Sequence, residues 1–379
     1  MNKIFLKSDI FSYNGVCNYL NILYKNNKER IEKICIGKTS FGYDIDCYKI
    51  GKGKKHVLLF ALTHGSEIVT TYFLLEFITT LLKEASLKEI LEKYTFHLIP
   101  ILNVEGFIIS SSVVSKNFLG KTLEEIESLS KRYLNIYNKD DENVKSGRHI
   151  FKNFYHVLDT SIFDISNFRL RESVGKIIKK CGLDSRVMTI WAANGCGVDP
   201  NSNSIHCFKE IKRLRRKQKV ANLRYNDIPV TIPSPMSYPG ECTFGNCPEN
   251  FYLYLYIKKL CRMNSLKIED KFVAIFSYHS TGGQIYGLPN INFLSKEKLL
   301  LYKKGMDIYS KITGYEIMED KYKFGVMDYY RECLDNVLSL TIELSKLNAN
   351  PIGPFSNIEL LNNEIIENKN SIIATLDIM

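Results

Sequence analysis

Apolar residues along this chain follow two periods. The runs Val57 to Leu62 and those in YTFHLIPIL, KFVAIFSY and NVLSLTIEL are short and nearly unbroken, as expected of strands buried on both faces of a sheet. Between them, Ile68 to Ile78 and the segment CPENFYLYLYIKKLCRM place apolar residues at helical spacing. The second of these carries Pro248 and Glu249 in its first turn, where helix starts accept proline and favour an acid. Upstream, IEKICIGKTSFGYDIDCYKI reads as a strand, a Gly-bearing turn and a second strand, followed by a Gly-Lys hairpin and the strand that ends at His64. Buried strands alternating with amphipathic helices predict an α/β fold with helices on both faces of the sheet. Residues 115–190 are polar and weakly periodic, and are expected to form a helical and loop insertion within one domain spanning 1–379. No internal repeat or low-complexity tract interrupts the chain.

Composition narrows the class. With 379 residues and 45% apolar content the chain can build a sizeable core. The ten cysteines are scattered, without any C-x-x-C pair, and are expected to be thiols in a reducing compartment. Charged or polar residues break every apolar run near the N-terminus before a signal-peptide core forms, and no later run reaches the length of a membrane span. The expectation is a soluble, cytoplasmic protein; its richness in Asn, Lys, Ile and Tyr suits the AT-rich coding of a low-GC bacterium. The formal net charge is +10, with the densest basic cluster at KRLRRKQK, Lys212 to Lys219. No nucleic-acid-binding motif accompanies it, so a solvated face is the expected reading. Nothing in the pattern specifies an oligomeric state.

Candidate chemistry sits at strand ends. In THGSE, His64 and Glu67 fall on the strand-to-helix turn after the first central strand, the position where α/β sheets collect ligands. This pair alone reads equally as a capped helix start. His279 closes the strand in KFVAIFSYHS, and by itself suits a core or turn histidine. Glu343 is one acid among Leu and Ile in SLTIEL, a costly position for a carboxylate unless it is paired, solvated or given a chemical task. Together, two imidazoles and a carboxylate as ligands, with a further carboxylate as base, match the chemistry of a catalytic zinc.

At this point the chain resembles the zinc carboxypeptidase family of metallopeptidases. THGSE is similar to that family's H-x-x-E turn, LNVEGF to its N-P-D-G-Y strand end, and GVDPNSN to its G-V-D-L-N-R-N segment. YPGECTFGNCPE, SYHSTGG and SLTIEL follow in the family's order as a glycine- and glutamate-bearing loop, a third-ligand segment and a catalytic strand. The resemblance runs from about Ile36 to Pro354, interrupted over 115–190. It implies a mixed sheet, one Zn²⁺ per chain held by His64, Glu67 and His279, and Glu343 as the base that takes a proton from the attacking water. It further implies that Asn201 helps to hold the substrate's carboxylate.

Departures from the family bear on substrate. Ser202 stands where most members have an arginine that salt-bridges a free C-terminal carboxylate. Ala192 and Cys196 stand where bacterial relatives often carry Lys and Arg, which leaves Arg186 as the nearest cation for the oxyanion role. Tyr322, Tyr329 and Tyr330 all compete for the family's tyrosine, and Asp328 aligns with an acid expected to be structural. The branch most resembled cuts γ-D-glutamyl-diaminopimelate links, so the expected substrate is a peptide or muropeptide derived from peptidoglycan. The alternatives are a conventional metallocarboxypeptidase and a zinc- or peptide-binding homologue without turnover.

Overall fold

A computed structural model describes residues 8–144, 157–161, 163–204, 224–225, 228–241, 246–263, 272–287, 295–319, 325–334 and 336–379. Its strands are β1 (Ile31–Lys38), β2 (Asp44–Ile50), β3 (Lys55–Phe60), β4 (Tyr94–Ile99), a short ribbon of β5 (Arg224–Tyr225) and β6 (Ile228–Pro229), then β7 (Phe272–Ser280), β8 (Gln284–Tyr286), β9 (Glu316–Met318) and β10 (Leu338–Leu344). The helices are α1 (Tyr13–Asn26), α2 (Ile68–Lys83), α3 (Lys88–Lys93), α4 (Val104–Phe118), α5 (Leu123–Val144), α6 (Phe168–Cys181), α7 (Pro248–Met263), α8 (Lys296–Thr313), α9 (Val326–Cys333) and α10 (Ile358–Leu376). The expected strands and helices are present; 115–190 carries the end of α4, then α5, α6 and a 3-10 turn, Ser185–Ile190. The basic run 212–219 and Tyr322 lie outside the described residues. Among those described, no helix is long and apolar enough to cross a membrane.

Eight strands make one mixed sheet in the order β1-β2-β4-β3-β7-β10-β8-β9. β4, β3, β7 and β10 run parallel, β1 and β2 are antiparallel to their neighbours, and β8 is antiparallel to β10 but parallel to β9, so the single α/β domain with a mixed sheet expected from the sequence is observed. Side chains alternate between the faces of a strand. Val57 and Leu59 of β3 join the larger core with α2 and α4, and Leu58 and Phe60 join a second core against α7 and α9. Both faces are therefore covered, which explains why β3 reads as an apolar run and why Thr95 and His97 of β4 are buried and hydrogen-bonded to Gly53 O and Tyr256 OH.

Two consequences of this topology place the site. From β3 the chain moves to β4 on one side, whereas β7 and β10 fill the other, so the order reverses between β3 and β7. That reversal opens a crevice beyond the carboxyl ends of the two strands, the usual ligand position in such sheets. Register supplies the second consequence: β7 and β10 pair in parallel with Glu343 opposite His279, Thr341 opposite Ser277 and Ser339 opposite Ile275. The period of two then puts His279 and Glu343 on the same face, while Phe276, Tyr278, Leu340 and Ile342 pack into the larger core.

A buried arginine fixes β10. Arg331 of α9 is 2% exposed; its Nε donates to Ser339 O at 3.1 Å, and its Nη2 to Thr341 Oγ1 at 2.7 Å and Tyr286 O at 2.9 Å. Its Nη1 reaches Asp328 Oδ1 at 3.0 Å, and the other oxygen of Asp328 accepts from Gly325 N at the start of α9. A buried charge is tolerated only when its partners are this complete. Replacing Arg331 with Leu strands Asp328 and three acceptors, and is expected to cost about 3–5 kcal/mol of stability. Urea unfolding of the two proteins checks this, and a loss below about 1 kcal/mol would remove the buried pair from the fold's main supports.

Candidate metal centre

The first turn of the site is held by its neighbours' backbones. Beyond β3, Ala61 N donates to Ile99 O, Leu102 N to Ala61 O and Asn103 N to Leu62 O, which zips the turn to the segment after β4. Leu62 is bent into a left-handed conformation, φ 52°, an unfavourable state for a residue with a side chain that the surrounding bonds must stabilise. The side chain of Asn103 caps α4 by accepting from Gly106 N at 2.9 Å, and donates to Thr63 O at 3.1 Å and Ala192 O at 3.0 Å. One amide thus ties together three segments of the site. Gly65 is required here, because a Cβ would lie 2.1 Å from the carbonyl carbon of Gly106.

Glu67 occupies the N-cap position of α2, yet its side chain makes no capping bond. Its carboxylate is turned to two imidazoles instead. Oε1 lies 2.8 Å from His64 Nδ1, and Oε2 lies 3.2 Å from His279 Nδ1 without hydrogen-bond geometry. The two rings are 4.9 Å apart, and one ligand atom from each of the three residues falls within 4.8 Å of the others. Glu67 Oε2 and His279 Nε2 are buried without hydrogen bonds. Two nitrogens converging on a carboxylate with an unsatisfied buried oxygen fit a metal ion, and three protein ligands leave the open fourth position of a catalytic zinc. Of the other described histidines, His56 Nδ1 is 2.6 Å from His97 Nε2, whose ring also meets Tyr256 OH at 2.8 Å.

Asp199, which the sequence reading passed over, completes the geometry. His64 Nε2 lies 3.3 Å from its Oδ1, so the ring is held between two carboxylates with Nδ1 toward the metal position. Such an outer carboxylate fixes the tautomer and raises the basicity of a ligating histidine. Asp199 is itself held by Asn201 N at 2.9 Å, Ser237 N at 2.8 Å, and both the amide and hydroxyl of Ser202 at 3.3 and 3.2 Å. The signal was present as the Asp of GVDPNSN, but its partner lies across the fold.

Charges in this cluster balance each other. Burial disfavours the imidazolium of His64, yet Glu67 and Asp199 outweigh it and hold the ring well above its usual range. Burial likewise opposes ionised Asp199, but His64 and the backbone donors bring its carboxyl down to about 2. For Glu343, burial first and Glu67 second push the carboxyl up to about 8. A bound cation would reverse that last effect by favouring the anion.

The loop that carries Asp199 rests on buried acids. Glu105 accepts from Phe41 N and Gly195 N, and Asn194 accepts from Cys196 N and Val198 N while donating to Glu249. Glu249 is fully buried, and burial first, with Glu105 second, lifts its carboxyl to about 8.

The remaining candidates are distributed unevenly. A cleft of about 460 Å³ over the cluster is lined by Ala192, Asn201, Ser202, Asn348 and Asn350 beside His64, Glu67 and Asp199. Asn201 Oδ1 accepts from Val326 N at the start of α9, and the hydroxyl of Ser202 is on Asp199. Arg186 is not among the lining residues; its guanidinium is held by both oxygens of Asp184 in the same 3-10 turn. No lysine or arginine lines the cleft among the described residues. Asp328 has the structural role expected of it, and Tyr330 is buried in the second core.

Comparison with known proteins agrees with this geometry. The zinc carboxypeptidase family model matches residues 16–167, the part that contains His64 and Glu67. No curated protein sequence matches the chain. Among solved structures, carboxypeptidase A from Helicoverpa armigera is 16% identical with a TM-score of 0.59, covering 98% of this chain and 74% of its own. Bovine thrombin-activatable fibrinolysis inhibitor, solved with tick carboxypeptidase inhibitor, is 15% identical with a TM-score of 0.56, covering 97% and 98%. A metallo-carboxypeptidase from Burkholderia cenocepacia is 10% identical with a TM-score of 0.52, covering 97% and 69%. At these identities the likeness establishes the carboxypeptidase fold. The family match and the His-Glu-His cluster within that fold support a zinc metallopeptidase hydrolase.

Two outcomes follow from the geometry. Asp199→Asn leaves the three ligands in place but weakens the hold on His64, and is expected to lower zinc affinity by about 10–100-fold in competition with a chelator; unchanged affinity would exclude the outer role of Asp199. Glu249 keeps its proton in the fold up to about 8, whereas an unfolded glutamate loses it near ~4.3, so stability declines as pH rises through that window. Glu249→Gln has no proton to lose. Its melting temperature should therefore fall less than that of the wild type between pH 5 and 8.

Proposed function

We propose that this chain hydrolyses an amide bond in peptidoglycan-derived peptides, with His64, Glu67 and His279 holding zinc and Glu343 acting as general base. The observation that carries the reading is the register of β7 and β10, which pairs Glu343 with the candidate ligand His279 on one face of the sheet. When bound, the metal supplies Lewis acidity, polarising the scissile carbonyl and bringing water into the pKa range near ~7. Glu343 accepts the proton from the attacking water and returns it to the leaving amine. His64 and His279 orient the site, each with a ring nitrogen directed at Glu67. We assign no step to Arg186, whose guanidinium is committed to Asp184.

The substrate class rests on the lining of the cleft and on the family branch. Ordinary C-terminal trimming uses an arginine fork on the free carboxylate. At the corresponding position Ser202 hydrogen-bonds Asp199, and the described lining offers amides and hydroxyls from Asn201, Asn348, Asn350 and Thr281. The absence of an arginine from this described lining speaks against a conventional carboxypeptidase, and the γ-D-glutamyl-diaminopimelate reading itself rests on the resemblance to that family branch. Hydrolysis of L-Ala-γ-D-Glu-diaminopimelate and of a peptide ending in Leu, by wild type and Glu343→Gln, tests both parts. The tripeptide should be cut preferentially, and the variant should lose about 10²–10⁴-fold in kcat while retaining zinc. Preference for the Leu peptide would overturn the substrate assignment, and an active Glu343→Gln would overturn the base.

A further inference from the structure

A second cavity, of about 540 Å³, lies between α2 and α10, with Leu87 and Leu123 also in its lining. Phe77, Ile365, Ile366 and Ile373 give it an apolar wall, and Thr79, Thr80, Lys83, Glu84, Asn362 and Lys369 make the rest polar. One polar group there has an unsatisfied buried atom. Glu76, in the middle of α2, has one carboxylate oxygen buried without a hydrogen bond, and it forms no ion pair among the described residues. Lys83 and Lys369 border the same cavity, but Lys369 Nζ donates to Thr80 Oγ1 at 3.0 Å rather than to this acid. A buried carboxylate oxygen without a donor is costly even with two lysines at the rim of the cavity, and a donor brought by a ligand would relieve the cost through a charge-assisted hydrogen bond.

We infer that this groove binds a small amphiphilic amine, with its ammonium on Glu76 and its apolar body along Ile365, Ile366 and Ile373. A pocket with an apolar wall and a few placed polar groups is the usual form of a small-molecule site. The unsatisfied Glu76 oxygen selects a donor, and an ammonium is favoured because its hydrogen bond to the carboxylate is charge-assisted, whereas an alcohol donates only a neutral one and an anion offers no donor. The site is distinct from the metal crevice, sharing with it only α2.

Calorimetric titration of the full, zinc-loaded chain with n-octylamine, n-octanol and octanoate at pH 8 tests the inference. One octylamine per chain is expected, at least ten-fold tighter than either of the other probes. Glu76→Gln keeps the shape of the side chain and should erase that margin while leaving octanol unchanged; Ile366→Trp should weaken amine and alcohol alike. Equal binding of the three probes, preference for octanoate through Lys83 and Lys369, or a margin that survives Glu76→Gln would each overturn the proposal. Loss of amine binding when zinc is stripped would overturn it too, by placing the amine on the metal.

Discussion

A carboxylate buried between two imidazoles is the constraint around which this structure is organised. Glu67 can be ionised at that depth only because His64 and His279 stand on either side of it. Its neighbours come from different strands, so the β3–β7 pairing must bring them together to within a fraction of an ångström. Parallel pairing of His56 to Phe60 with Phe272 to Ser277 sets that alignment. The approach of Gly65 onto Gly106 and the triple bonding of Asn103 then hold the turn at the right height. The site is therefore a product of sheet topology, and its rigidity is that of the core beneath it.

Local sequence patterns made part of this legible. Unbroken apolar runs identify β3 and most of β7, whereas β4 and β10 read as strands by their period of two, with Thr95, His97 and Ser339 buried nonetheless, and Pro248 with Glu249 marks the start of α7. His64, Glu67, His279 and Glu343 were visible as polar residues where apolar strands end. Asp199, Asn103 and Arg331 were not, for one physical reason: each acts through partners distant in the chain. Asn103 in LNVEGF looks like a strand-end asparagine, and nothing near it announces that its amide will bind Thr63 and Ala192. Arg331 reads as a charge on a short amphipathic helix, although its guanidinium ends up among β10 and β8 carbonyls.

Ser202 shows how a single replacement can redirect a position. An arginine there would project a charge toward a substrate, whereas the short serine side chain reaches only Asp199, two bonds removed from the metal position. Recognition chemistry is thereby exchanged for support of His64. The same economy appears at Asn201, whose oxygen takes the first amide of α9 and so links the loop of Asp199 to the helix that anchors β10. With Ser202 and Asn201 so engaged, the described cleft has mainly neutral polar walls, while its acids, Glu67 and Asp199, are concentrated at the metal end.

Helix α2 joins two of the acids set into this fold, Glu67 and the partly buried Glu76. Glu67 begins the helix, where the dipole favours a negative charge and two imidazoles compensate it. Glu76 lies nine residues on, about 14 Å along the axis, beyond the reach of the helix terminus and without a partner. Burial, the largest cause, lifts its carboxyl to about 7, only partly offset by Lys369 and Lys83. The same side chain on the same helix is thus stabilised at one site and left in deficit at the other. A site already satisfied by its own residues has nothing to offer a ligand beyond the metal; a site in deficit has a free-energy reason to accept one. Because α2 is packed along its length into the larger core, both acids are carried by one rigid element, and what differs between them is only the partners each is given.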